Sequence, residues 1–192
     1  MATEPMDCRV AVAPRNDALR ICLIGAECTG KTTLARALAA HFGGLWVPEH
    51  LRSFCELNGR TPRADEQAAI MRAQFEQEEQ VAAQALQASC GYVFCDGAPL
   101  LTAIYSDYYF GDRSLFDCAY ALHARYALTL VPQADLPWQS DGLQRDGEVE
   151  RALVHALVQH ALQAKHVPHI EVAGQRDARL QAAILAVETL TG

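Results

Sequence analysis

Short apolar runs and longer stretches of helical period alternate along this chain. Residues 21–24, 45–47, 92–95, 127–131 and 167–172 are compact, mostly apolar segments that read as strands. Between them the spacing predicts helices over 30–41, 51–60, 64–88, 114–125, 148–165 and 176–190, with a further aromatic-rich helix closing at Gly111. Leu34, Ala35 and Leu38 form the inward face of the first helix, and Gly43-Gly44 ends it. On the long helix, Ile70, Met71, Phe75, Val81 and Leu86 are the expected inward residues. Its glutamates at 76, 78 and 79, and Gln74, read as a solvated face. Strand alternating with helix is the signature of an α/β domain.

Composition narrows the class. At 192 residues and 51% hydrophobic content, the chain is long enough for one well-filled domain and too short for two ordinary ones. A net charge of −7 argues against a general nucleic-acid binder, and no run is long enough to span a membrane. The seven cysteines are odd in number and contain no C-x-x-C pair, so reduced thiols and a cytoplasmic setting are expected rather than a disulfide framework or a zinc site. Residues 1–18 carry no apolar leader and are expected to be a loose tail before a domain over 19–192.

The chemistry begins where the first strand meets Gly25. Residues 25–32 spell G-x-x-x-x-G-K-T between a strand and a helix, which makes them a phosphate-binding loop. Gly25 and Gly30 allow a backbone that a side chain would block. The amides of Glu27, Cys28, Thr29, Gly30, Lys31, Thr32 and Thr33 would then converge on phosphate oxygens. Lys31 would reach the β- and γ-phosphates of ATP, and the Thr32 hydroxyl would bind Mg²⁺. The third strand ends in Asp96, a position suited to a second Mg²⁺ ligand or to orienting a nucleophile. Glu49 and Arg52 fall just past the end of the second strand, where ligands of open α/β sheets sit; a solvated pair on a helix start is the competing reading. Tyr105, Tyr108, Tyr109 and Phe110 would either wall a planar substrate or pack the core. The polar segment 132–151, with Asp135, Trp138, Asp141, Arg145 and Arg151, has the character of a lid, or of an ordinary surface loop.

Taken in order, GAECTGKTTLARALA, VPEHLRSF, FCDGAPLLTAIYSDYYFG, DLPWQSDGLQRDGEVER and VPHIEVAG resemble the P-loop kinase domain of the NadR type, within the wider P-loop kinase and AAA-like ATPase group. The likeness runs from about Arg20 to the C-terminus. It implies a three-layer α/β/α fold with a five-stranded parallel sheet in the order 2-3-1-4-5, helices on both faces and a short lid. It further implies transfer of the ATP γ-phosphate to the 5′-hydroxyl of nicotinamide riboside, giving nicotinamide mononucleotide. In that scheme Lys31 and the loop hold the phosphates, and Thr32 and Asp96 hold Mg²⁺. Glu49 faces the substrate hydroxyl, with Asp96 as its competitor for the role of base. Arg52, Tyr105, Trp138 and Asp141 contribute to the substrate side or the lid. Arg145 and Arg151 stabilise charge in the transition state.

The chain departs from the family pattern at three points. Pro48 stands where an aromatic ring precedes the strand-two glutamate, and the opposing place on the long helix is polar, near Glu79. The lid reads D-G-L-Q, which shifts Arg145 by one. The nucleotidyl-transfer motif of the bifunctional proteins is absent, so synthesis of NAD from the mononucleotide is not expected. The partner is therefore a nucleoside-type small molecule, with no nucleic acid, no membrane and an open oligomeric state. Two alternatives remain: kinase action on another nucleoside or nucleotide, and a regulatory NTP-binding switch.

Overall fold

A computed structural model describes residues 18–138 and 147–190. Five strands, β1 (Leu19–Leu23), β2 (Leu45–Val47), β3 (Tyr92–Asp96), β4 (Leu128–Pro132) and β5 (Ile170–Val172), form one sheet in the order β2-β3-β1-β4-β5. Every pairing is parallel, with Leu23 of β1 opposite both Asp96 of β3 and Leu130 of β4. The helices are α1 (Lys31–Phe42), α2 (His50–Asn58), α3 (Gln67–Gln87), α4 (Pro99–Phe110), α5 (Phe116–His123), α6 (Glu148–Ala164) and α7 (Arg176–Glu188). The expected sheet order and the three layers are both present.

Strand alternation sorts the core onto two faces. Ile21 and Leu23 point with Phe94 and Leu130 toward Leu34 and Leu38 of α1 and Ile184 and Val187 of α7. Cys22, Ile24 and Val131 point the other way, toward Leu100 and Ile104 of α4 and Val158 and Leu162 of α6. Central strands apolar on both sides are what a parallel sheet covered by helices requires. Truncating a side chain such as Leu38 or Leu162 to alanine, both fully buried, would cost about 2–5 kcal/mol.

Three local expectations are corrected. β5 begins at Ile170 rather than at residue 167. His166 takes a left-handed φ of 50°, and the Val167 amide turns back to Leu162 O at 2.8 Å, so these residues close α6 instead of opening a strand. On α3 the buried stripe is Gln67, Ile70, Met71, Gln74, Glu78, Ala82 and Ala85, while Leu86 is exposed. Of its polar residues, Gln74 and Glu78 are buried because tertiary partners satisfy them. Finally, Cys22, Cys28, Cys55, Cys90 and Cys95 take part in no disulfide, whereas Cys118 is disulfide-bonded, a pairing that no local cysteine spacing signals. No helix among the described residues is long and apolar enough to cross a membrane.

Candidate active site

The loop after β1 sits where the sheet's connections diverge, at the carboxyl ends of the strands. Cys28 and Gly30 both adopt positive φ, 53° and 78°, and the Thr29 hydroxyl between them donates to Ala26 O at 2.8 Å. This turn aims successive amides inward as an anion-binding nest, which leads directly into the N-terminus of α1. A side chain at Gly30 would meet Leu136 Cδ1 at 3.1 Å, so the loop is also packed against the segment leaving β4. Lys31 is buried, and its ammonium donates to Gly25 O and Ala26 O, each at 2.9 Å. Those two bonds hold the charge at the loop mouth and leave one of its three protons for a phosphate.

Thr32 and Asp96 meet beside the loop. The Thr32 hydroxyl donates to Asp96 Oδ2 at 2.5 Å. Asp96 Oδ1 is buried with no hydrogen-bond partner. A hydroxyl and an unsatisfied carboxylate oxygen side by side suit a hard cation with oxygen ligands. Among the described residues no cluster of three or more His, Cys, Asp or Glu side chains would hold a metal alone. The donor set therefore fits a cation that takes its remaining ligands from phosphate and water.

Glu49 lies on the opposite wall. It is the N-cap residue of α2, with φ −67° and ψ 118°, and its side chain makes no cap hydrogen bond. Gly97, at φ 82°, lets it come close: a Cβ there would stand 3.3 Å from Glu49 Cγ. Burial pushes the Glu49 carboxyl above its ordinary range; Lys31 pulls it back, Asp96 raises it further and Arg52 lowers it. A carboxyl raised in this way is better matched to proton transfer near neutral pH.

One cleft of about 900 Å³ joins these parts. The loop from Glu27 to Thr33 forms one end. Glu49, Arg52 and Gln67, together with Tyr105, Tyr109 and Phe110 from α4, form the other. Thr61, Pro62 and Arg63 close its rim, held by Arg60, whose guanidinium grips Glu66 at 2.7 and 2.8 Å. The Arg60 side chain and the Arg63 amide draw the Glu66 carboxyl down to about 2.

The structure brings Lys31, Thr32, Glu49, Arg52 and Tyr105 to the lining of one cleft, with Asp96 reached through Thr32. It places others elsewhere. Arg151 is buried, donates to Leu136 O at 2.8 Å and pairs with Glu148 at 3.3 Å, without lining the cleft. Trp138 lies beyond the lining residues Leu136 and Pro137. Asp141 and Arg145 fall outside the described residues. Glu79 does not face the cleft wall; it pairs with Arg20 at 3.1 Å and with Arg125.

Two further residues escaped the sequence reading. Gln67 is a buried cleft residue on the first turn of α3. Arg179 of α7 is buried and donates to Thr29 O of the loop, to Gly174 O at 2.8 Å, to Gln133 O at 3.2 Å and to the carboxylate of Asp135. It ties the phosphate loop to the exit of β4. Both residues occupy the apolar stripe of their helices, and a polar side chain within such a stripe was the available signal.

Comparisons with known proteins place the family and the fold. A family model described as an AAA domain matches residues 20–179, and the chain belongs to that family. Its fold is that of P-loop nucleoside and nucleotide kinases. NadR protein in complex with NAD and AMP-PNP superposes with a TM-score of 0.75 at 22% identity, over 91% of this chain and 50% of that one. Thymidylate kinase from Ehrlichia chaffeensis gives 0.62 at 16% identity, over 91% and 99%. Deoxyadenosine kinase from M. mycoides gives 0.61 at 10% identity, over 89% and 100%. The chain spans about half the length of NadR. No curated protein sequence matches it at a significant level.

Proposed function

We propose that the protein is an ATP-dependent small-molecule kinase acting on the 5′-hydroxyl of nicotinamide riboside to give nicotinamide mononucleotide, a step of NAD salvage. The observation that carries this reading is the placement of Glu49: a half-buried carboxyl with its proton affinity raised, on the wall of a cleft that Lys31 and the aromatic face of α4 also line. The fold likeness to NadR, solved with nicotinamide riboside bound, supports the choice of acceptor.

In this mechanism the loop amides from Glu27 to Thr33 and the Lys31 ammonium hold the β- and γ-phosphates. Thr32 and Asp96 would hold Mg²⁺, which neutralises charge on the phosphates when bound. The acceptor's ring lies against Tyr105, Tyr109 and Phe110, which takes over the stacking that Pro48 cannot provide. Its ribose hydroxyl points to Glu49, with Arg52 supporting the substrate side. The hydroxyl oxygen forms a bond to the γ-phosphorus while the bond to the β–γ bridging oxygen breaks. ADP leaves, and the hydroxyl proton passes to Glu49. Asp96 is the alternative acceptor of that proton. Trp138, Asp141, Arg145 and Arg151 belong to the lid segment, from which an arginine side chain would meet the transferring phosphoryl group.

The second reading is a kinase for another nucleoside or nucleotide. Pro48 favours it, because the α4 wall is compatible with any planar base. Incubation with Mg-ATP and a panel of nucleosides separates the two by which member acquires phosphate. Clear nucleotide binding without phosphorylation of any member would instead point to a regulatory switch.

A further inference from the structure

Two buried polar side chains of α3 lie outside the chemistry above, yet they reach it. Helix α2 begins with amides that have no partner inside the helix. A carboxylate at the N-cap ordinarily takes one of them. Glu49 does not. The amide of His50, the first residue of α2, donates instead to Gln74 Oε1 of α3 at 2.8 Å. Gln74 Nε2 donates in turn to Glu78 Oε1 at 2.8 Å, and Glu78 Oε2 accepts from the Tyr126 hydroxyl at 2.7 Å. Gln74 and Glu78 are 3% and 4% exposed, so water does not substitute for these partners. A glutamine amide has a donor end and an acceptor end. The Glu78 carboxylate takes the donor end and so turns the oxygen toward His50.

We propose that Gln74, oriented by Glu78, is a positioning residue for Glu49: it secures the start of α2 from a neighbouring helix and leaves the Glu49 carboxylate to face the cleft. The consequence for turnover rests on the reading of Glu49 as the acceptor-side base; the positioning itself does not.

The arrangement depends on the charge of Glu78. Arg20 and Cys22 of β1, Cys95 of β3, Arg125 and Tyr126 ahead of β4, and the neighbouring Glu79 surround it. Burial raises its carboxyl to about 7, against the pull of Gln74, Tyr126, Arg20 and Arg125. Once protonated, Glu78 has a hydrogen to donate, and the Gln74 oxygen is a ready acceptor. An amide turned to accept it presents its NH₂ to the His50 N–H, donor against donor. The positioning therefore holds when Glu78 is ionised and lapses below neutral pH.

The test uses Gln74→Leu, Gln74→Met and Glu78→Gln in the full chain. Amide hydrogen exchange of His50 by NMR reads the contact, with β1 amides as the control for folding. Steady-state kinetics with nicotinamide riboside and Mg-ATP read the consequence. In the Gln74 variants we expect His50 exchange to rise about tenfold or more, matching the loss of one buried hydrogen bond, with β1 protection retained. We expect kcat to fall about tenfold with KM for ATP within about twofold. Glu78→Gln carries one acceptor and one donor end at every pH, as protonated Glu78 does, so its kcat at pH 8 should fall toward the value the wild type shows at pH 6. Its decline toward pH 6 should be at least about threefold shallower than that of the wild type, because one titrating group is gone. Unchanged His50 exchange in both Gln74 variants, or superimposable pH profiles for Glu78→Gln and wild type, would overturn the proposal. Failure of the wild type to turn over nicotinamide riboside sinks the acceptor assignment instead, and the His50 exchange then decides the positioning alone.

Discussion

The Thr32 hydroxyl, on the first turn of α1, donates to Asp96 Oδ2 at the end of β3 at 2.5 Å, across 64 residues of sequence. That contact joins the phosphate loop to the neighbouring strand and puts the two proposed Mg²⁺ ligands side by side. Thr32→Val keeps the shape and removes the oxygen. We expect it to weaken Mg-ATP binding by about tenfold or more, the worth of one charge-assisted hydrogen bond and one ligand, while binding of ATP without Mg²⁺ changes little. Isothermal titration with and without Mg²⁺ checks this.

Glu49 and Asp96 compete for the role of base, and their isosteric amides distinguish them. Glu49→Gln should lower kcat by about 10²–10⁴-fold, the range for a positioned general base, with Mg-ATP affinity retained. Asp96→Asn should impair Mg²⁺-dependent nucleotide binding as well. The raised Glu49 carboxyl also predicts an acid limb in the kcat profile, since activity needs the ionised form; this limb should vanish from the residual rate of Glu49→Gln. Retention of full kcat by Glu49→Gln would transfer the role to Asp96.

Arg179 makes four donated contacts to the loop, the β4 exit and the turn before α7. Arg179→Met leaves the Asp135 carboxylate and several carbonyls without their cation. Asp135 is exposed, so the loss falls mainly on the carbonyls of Thr29, Gly174 and Gln133 and costs about 1–3 kcal/mol, which for a chain of this size lowers Tm by roughly 5 °C. Arg179→Lys should recover only part of the loss, because an ammonium lacks the planar fork. Urea midpoints at constant m would register the difference.

Glu78 predicts a pH dependence of stability opposite in sense to that of a salt-bridged carboxylate. Its folded-state value, about 7, lies above the ordinary glutamate value of 4.5. The contribution is therefore fully present below pH 4.5 and is lost as pH rises through 7. The difference corresponds to roughly 3 kcal/mol. Unfolding free energies from pH 5 to pH 8 should fall by an amount of this order in the wild type, and the slope should flatten in Glu78→Gln. The ionised form that positions α2 is thus the less stable one, a trade familiar at functional sites.

What the sequence made legible was local in character. The phosphate loop is a run of eight residues whose geometry depends on its own glycines and the helix behind it, so its pattern alone located it. Glu49, Arg52 and Asp96 were legible as candidates because ligands of open parallel sheets sit beyond the strand ends. Gln74 and Glu78 were misread as a solvated face because their burial depends on His50 and Tyr126, which no helical period reveals. Arg179 was missed for the same reason: its partner Thr29 lies 150 residues away. In both helices the polar residue interrupts an apolar stripe, and that interruption marks where a buried network forms. β5 was drawn too long because an apolar, β-branched stretch closing a helix resembles a strand until the left-handed His166 is seen.

The most direct test of the account is a product assay. Wild-type protein, Mg-ATP and a panel of nucleosides including nicotinamide riboside are incubated together, with Lys31→Ala and Glu49→Gln in parallel. The account predicts stoichiometric ADP and nicotinamide mononucleotide from the wild type and a large loss of both in each variant. Tight ATP binding with no phosphorylated nucleoside from any member of the panel would contradict it.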